Sequence, residues 1–401
     1  MKILISSTYF EPYKSGLSIY ALRLARGLVE RGHEVVVLSS LYQDGLAREA
    51  LVDGIRIVRV PVGWRLSKGV IMPSLRRVVE PWMRWADVVN LHLPQFESFV
   101  LSGLAKRMGK PLVVTYHCDL VAGKSLFEKL AVWGTSLLGR VSLRRANLIV
   151  QNTLDYASSS PVLSHYLSKT IEIPTPVNVS AVFDDVASDD AISDDAVSND
   201  AVASFKARFG IASDDIVLGL AGRVAREKGY EYLLEALPAV LEAFPNARVV
   251  HAGAWKGVIG EEAYQAQITE MASGFGEKWM STGYVSDEDF LAFFAACDVL
   301  VFSSLNSTES FGIVQIEALS QGTPIVASDL PGVRQPVLRT GMGRIVPIRD
   351  SNALASAIID VLSARADGTR REIPHEYLAG FSQEQVALRY EKEFERLIND
   401  K

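Results

Sequence analysis

Short apolar runs alternating with amphipathic helical segments constrain this chain more than any other feature. Residues 2–6 (Lys-Ile-Leu-Ile-Ser) read as a short buried strand. Residues 18–31 then carry Ile19, Leu22, Leu24, Ala25, Leu28 and Val29 on or near one helix face, and Glu34-Val35-Val36-Val37-Leu38 is the next strand. Strands apolar on both faces belong in a parallel sheet covered by helices. A strand–helix–strand unit is the seed of a doubly wound α/β sheet. Further strands are expected over 55–60, 86–92, 111–117, 147–150 and 171–174. The second half repeats the architecture, with strands over 216–221, 248–253, 279–283, 298–303 and 324–328. A chain of 401 residues is long enough for two such domains.

The bulk composition narrows the class. With 48% apolar and 22% charged residues the chain is an ordinary globular one with ample core. A formal net charge of −6 argues against a general nucleic-acid binder, which carries a basic balance. Two distant cysteines, Cys118 and Cys297, make neither a disulfide framework nor a zinc spacing, so a reducing, cytoplasmic setting is expected. The apolar run at 1–6 is too short for a signal peptide, and no stretch approaches the roughly 18–20 apolar residues of a membrane span. A soluble protein, or one held only peripherally at the inner face of a membrane, is expected.

Three segments depart from the average. Residues 184–204 are four imperfect five-residue acidic copies without Lys or Arg. Such a run repels itself and has little to bury, so 179–204 is expected to be a flexible interdomain linker; an acidic metal site is the alternative. Residues 64–85 carry Arg65, Lys68, Arg76, Arg77 and Arg84 among Trp64, Trp82, Met83 and Trp85. Residues 124–145 carry Lys124, Lys129, Arg140, Arg144 and Arg145 among Phe127, Leu130, Trp133, Leu137 and Leu138. Basic and aromatic helices of this kind suit an anionic membrane surface, and they equally suit helices that simply cover a sheet.

Chemistry is concentrated where strands end. Ligands of open α/β sheets bind outside the carboxyl ends of the strands. Glu309 and Glu317 stand eight positions apart, with Phe311-Gly312 marking a tight turn and a helix expected over 311–321. The first turn of such a helix offers unpaired N–H groups and a positive dipole end suited to phosphate. Spacing alone leaves two unrelated carboxylates as an equal reading. Arg223 and Lys228 share the loop after the strand at 216–221, as a pyrophosphate clamp or as two surface charges. His117 ends its strand, and Gly16 sits where the first loop meets the first helix, either serving the turn or letting a ligand approach the backbone. His33, before the second strand, reads as structural.

Taken in order, these residues resemble the retaining glycosyltransferases of the GT-B fold, family 4. Glu309 to Glu317 matches the E-x7-E signature. Gly222-Arg223-Val224 with Lys228-Gly229 is similar to the diphosphate loop, and Gly16, 31–35 and His117 match as well. The resemblance spans nearly all of the chain outside the acidic repeats. It implies two Rossmann-like domains across a cleft: an acceptor-binding domain at 1–178 and a nucleotide-sugar domain at 205–380, with a last helix at 381–401 crossing back to the first. Glu317 would hold the ribose, and Glu309 with Ser310, Phe311, Gly312, Ile313 and Val314 the donor sugar. Arg223 and Lys228 would neutralise the diphosphate, Gly16 and Gly222 would meet it through backbone, His117 would touch the sugar, and Tyr284 and Val285 would lie by the base. The resemblance further implies transfer from a UDP- or GDP-linked sugar to a glycan, glycolipid or lipid-linked acceptor in polysaccharide or glycolipid synthesis. No metal or cofactor and no protein nucleophile are expected. The alternatives are an epimerase-like relative and a non-catalytic sugar-nucleotide binder. Three positions depart from the family pattern: Ser310 replaces a glycine, Ser15-Gly16 replaces two glycines, and Asn90 stands where histidine is common.

Overall fold

The computed structural model describes residues 1–66, 69–122, 126–177, 197–258, 260–366 and 375–400. The chain divides into two compact units, Met1–Asn178 with Gly380–Lys401, and Val179–Ala379.

The first unit contains β1 (Lys2–Ser6), β2 (Glu34–Leu41), β3 (Glu49–Val52), β4 (Ile55–Pro61), β5 (Trp64–Leu66), β6 (Gly69–Ile71), β7 (Val88–Leu93), β8 (Leu112–Tyr116), β9 (Leu148–Gln151) and β10 (Thr170–Glu172). Eight of these form one sheet in the order β10-β9-β8-β7-β1-β2-β4-β3, parallel except for β3. Alternation along β1 sends Ile3 and Ile5 to one face, under the helices Gly16–Glu30 and Gln383–Asn399. Leu4 goes to the other face, under Leu75–Trp85, Ser98–Arg107 and Leu126–Arg145. Each fully buried aliphatic side chain contributes roughly 1.5–3 kcal/mol. The last helix docks on the first: Tyr20 and Tyr390 hydroxyls lie 2.8 Å apart, and Arg31 pairs with Glu391. Its start is capped by Ser382, whose Oγ accepts from the Gln385 amide at 3.2 Å. His33 is structural, 3.1 Å from Glu391.

The second unit contains β11 (Ile216–Ala221), β12 (Ala247–Ala252), β13 (Trp279–Gly283), β14 (Val299–Phe302), β15 (Ile325–Ser328) and β16 (Gly343–Val346). These form a parallel sheet in the order β13-β12-β11-β14-β15-β16. Strand order reverses direction at β1 in one unit and at β11 in the other, the switch points where doubly wound sheets open a ligand crevice.

Two expectations are corrected, and two edge strands go beyond what the sequence suggests. Residues 64–85 are not one basic-aromatic helix: β5 and β6 form a small hairpin before the helix Leu75–Trp85. Within that helix Met83 is fully buried, and Trp82 and Trp85 pack on the core, because the sheet behind claims the apolar face. The acidic segment does not stay irregular to 204. Asn199–Arg208 is a helix, capped by Ser198 and anchored by the buried Phe205, while 179–196, Lys68 and Lys124 lie outside the described residues. The edge strands β3 and β16 lack the long apolar runs of central strands, and local pattern does not reveal them for that reason. β3 is half solvated along its length.

Candidate active site

In the second unit, β14 ends at Phe302, and the chain passes Glu309 before entering the helix Ile313–Ser320. That helix starts two residues later than the sequence suggests, because Phe311 and Gly312 form the turn. Gly312 has φ of 84°, and a Cβ there would lie 2.5 Å from the Phe302 ring, so both conformation and space require glycine. Among the described residues, no side chain caps the helix N-terminus. The Gln315 amide holds the turn instead, donating to the Phe311 carbonyl at 2.6 Å and the Val333 carbonyl at 3.0 Å. Ser310 and Phe311 are buried, Ile313 and Val314 half-buried, and Glu317 is 6% exposed on the second turn.

β11 leads into Gly222, Arg223 and a short 3-10 turn, Arg226–Lys228. Gly229 follows in the left-handed region (φ 64°), and a Cβ there would meet the Ser303 carbonyl at 2.5 Å. Ser303 Oγ donates to the Lys228 carbonyl at 2.9 Å, which joins the two loops. Lys228 Nζ then donates to Glu309 Oε2 at 2.6 Å, with both side chains largely shielded (17% and 18% exposed). It also lies 5.0 Å over the Phe302 ring. Arg223 pairs with Glu227 at 2.6 Å and is more exposed. The two cations of the expected clamp therefore each carry a carboxylate partner. Tyr284 and Val285 follow β13; Tyr284 is 76% exposed and Val285 half-buried.

One residue that local sequence pattern does not single out supports this site from below. His251, on β12, donates from Nε2 to the Gly222 carbonyl at 2.7 Å, and its Nδ1 accepts from Ser281 Oγ at 2.9 Å. A carbonyl can only accept, which sets that tautomer. Burial pulls the His251 pKa down to about 4, so the ring is neutral and pins the Gly222 loop without adding charge.

In the first unit, Gly16 opens the helix Gly16–Glu30 behind a Ser15–Ser18 capping box. It is exposed, and a Cβ would meet nothing within 4 Å, so the turn itself does not demand glycine. His117 directly follows β8, with its amide on the Leu93 carbonyl at 2.8 Å. Its Nε2 lies 2.9 Å from His92 Nδ1, and His92 Nε2 lies 2.8 Å from Asn90 Oδ1. Burial pulls the His117 pKa down to about 3. His92 is also held well below its ordinary value, first by burial and then by His117. His92 is legible in the sequence only as a polar residue in an apolar strand, two places from Asn90. Among the described residues, no group of three or more His, Cys, Asp and Glu is arranged to hold a metal ion.

The family described as "Glycosyl transferases group 1" matches residues 202–377, and "Glycosyltransferase Family 4" matches 14–156. The chain is similar to phosphatidyl-myo-inositol mannosyltransferase of Mycobacterium leprae, 29% identical over 90% of this chain and 87% of the relative. It is also similar to 2-deoxystreptamine N-acetyl-D-glucosaminyltransferase of Streptomyces fradiae, 26% identical over 87% and 82%. Its fold matches sucrose-phosphate synthase of Thermosynechococcus elongatus, with a TM-score of 0.75, 19% identity and coverage of 100% and 99%. It likewise matches the Anabaena protein HepE in complex with UDP-glucose, with a TM-score of 0.70, 18% identity and full coverage of both chains. With one family model matched on each of the two Rossmann-like units, the chain belongs to the family 4 (group 1) glycosyltransferases of the GT-B fold.

Proposed function

We propose that the protein is a retaining, metal-independent glycosyltransferase that moves a hexosyl group from a nucleoside-diphosphate sugar to a hydroxyl of a lipid-linked polyol. The Lys228–Glu309 pair carries this reading. An ammonium has three donors, so Lys228 keeps two for phosphate oxygens while holding Glu309. Glu309 Oε2 is occupied, which leaves Oε1 to accept from a sugar hydroxyl. The uncapped helix start at Ile313 adds backbone N–H groups and a dipole end for the diphosphate. Arg223 can exchange Glu227 for a phosphate oxygen. Glu317 takes the ribose hydroxyls, and Tyr284 with Val285 lies by the base. Lys228, Arg223 and the helix start stabilise the charge that grows on the leaving diphosphate, the role a metal fills in other transferases. The diphosphate itself takes the acceptor proton on the face it leaves, so configuration is retained without a protein nucleophile.

The acceptor side rests on two further observations. The named relatives act on phosphatidyl-myo-inositol and on 2-deoxystreptamine, both six-membered carbon rings bearing hydroxyls. The helix Leu126–Arg145 leaves Leu126, Leu130, Trp133 and Leu137 exposed, Trp133 by 66%. Their spacing of four, three and four puts them on one narrow stripe, with exposed Lys129 beside it and Arg140 and Arg144 at its end. On a protein of net charge −6, a local apolar and basic stripe suits the surface of an anionic membrane. Among the described residues no helix is long and apolar enough to cross a membrane, so contact would be peripheral, and we place it at the cytoplasmic face.

The test incubates the protein with a panel of UDP-, GDP- and ADP-sugars and reads nucleotide release, with and without phosphatidylinositol vesicles, free inositol or 2-deoxystreptamine. The expected outcome is transfer to the vesicle-borne ring with the donor's anomeric configuration, unaffected by EDTA. Epimerised donor, or tight nucleotide binding without turnover with any acceptor, would overturn the reading.

A further inference from the structure

Asn90 and His92 alternate onto one face of β7, and Thr115 lies beside His92 in the register with β8. Asn90, His92, Thr115, Tyr20 and Tyr390 are essentially inaccessible, while His117 retains 9% exposure. They form one continuous chain of hydrogen bonds. Tyr20 and Tyr390 hydroxyls lie 2.8 Å apart, Tyr390 and Thr115 hydroxyls 2.9 Å apart, and Asn90 Nδ2 donates to Thr115 Oγ1 at 2.9 Å. Asn90 Oδ1 then meets His92 Nε2 at 2.8 Å, and His92 Nδ1 meets His117 Nε2 at 2.9 Å. The Tyr20 and His117 rings meet nearly at right angles, with centroids 4.9 Å apart at 88°.

The proton positions follow from what each atom can do. Asn90 Nδ2 also faces the Val113 carbonyl at 3.4 Å, an oxygen that only accepts, which fixes the orientation of the amide. Oδ1 therefore turns to His92, and His92 Nε2 must carry the hydrogen. Both rings have uncharged hydrogen-bond partners and are held neutral by burial. His92 Nδ1 is thus a bare lone pair, so His117 Nε2 must donate to it. His117 Nδ1 is then the acceptor left at the open end of the chain.

We propose that Asn90 and His92 are positioning residues that lock His117 as its Nε2–H tautomer, so that His117 Nδ1 accepts a hydrogen bond from a substrate hydroxyl reaching this end of the first unit's sheet. A neutral ring with a bare nitrogen repels a phosphate oxygen and selects an O–H group. His117 is therefore a reader of a substrate hydroxyl, and neither a phosphate ligand nor a proton donor. The identity of the ligand rests on the transferase reading above; the tautomer does not.

The test uses full-length protein labelled with 15N in histidine and long-range 1H–15N correlation at neutral pH. The expected spectrum has both His92 and His117 neutral with the hydrogen on Nε2. A charged His117, or one protonated on Nδ1, overturns the proposal. Asn90→Asp keeps the acceptor for His92 but adds a charge that favours a doubly protonated His92, which can no longer accept from His117. His117 should then switch tautomer, and kcat/KM for transfer should fall about 10- to 100-fold. Affinity for the nucleoside diphosphate alone should not change. A folded Asn90→Asp variant with the wild-type His117 tautomer, or with equally weakened diphosphate binding, overturns it as well. Should that variant not fold, the wild-type spectrum decides alone. Wild-type protein with the expected tautomers but no transfer from any sugar nucleotide would count against the transferase reading and leave the lock in place.

Discussion

Lys228 shows how much a single side chain can be asked to do. It occupies Glu309, lies over Phe302 and has its own carbonyl held by Ser303, so its position is set from three sides. A cation so placed adds most when negative charge appears on a departing diphosphate. Lys228→Ala should lower kcat by about 10²- to 10³-fold. Steady-state kinetics alongside thermal unfolding checks this, and near wild-type turnover in a folded variant would sink the assignment. Arginine should not rescue fully, because its planar fork does not reproduce a point charge. Such candidates are legible in the sequence because charged residues at strand ends stand out from apolar runs. His92 and His251 stand out less, because each sits inside a strand and a deciding partner, His117 or Gly222, comes from elsewhere in the chain.

At the scale of the element, the helices Leu75–Trp85 and Leu126–Arg145 make an instructive pair. Both read as basic and aromatic. The first turns Val79 and Met83 fully into the core and packs Trp82 against it, whereas the second keeps an apolar stripe in solvent. Composition could not separate them, since which face meets the sheet depends on the angle at which each helix docks. The exposed stripe should be separable from stability. Leu130→Glu combined with Trp133→Glu should abolish co-sedimentation with anionic vesicles at low salt, while the melting temperature stays within the small range of surface substitutions, about 0.5 kcal/mol each. Wild-type protein that does not pellet with such vesicles would end the membrane reading.

For the whole molecule, both units keep histidine neutral inside a sheet: His92 and His117 in one, His251 in the other. Above the ordinary value of 6.5 these rings are neutral folded or unfolded and contribute no pH dependence. Below it the unfolded chain takes up protons that the folded chain refuses, so stability falls as pH drops. The loss continues to about 4 for His251 and about 3 for His117. Each histidine adds a slope approaching about 1.4 kcal/mol per pH unit. Calorimetry should find the melting temperature falling between about pH 6.5 and 5 with net proton uptake on unfolding. A flat profile there would show that these rings are not held neutral.

The sequence by itself determined the class of fold and the strand-end loops where the candidate site residues stand. Alternating apolar runs and amphipathic segments admit few arrangements other than doubly wound sheets, and the loops at strand ends follow directly. The tertiary structure decided what those residues hold. That Lys228 grips Glu309, that His251 pins Gly222, and that His92 meets His117 are contacts between residues brought side by side by parallel pairing. Parallel strands are joined by long crossovers, so their side-chain partners lie tens of residues apart in the chain. Local pattern records which face a residue takes; only the packed sheet records which neighbour it meets there.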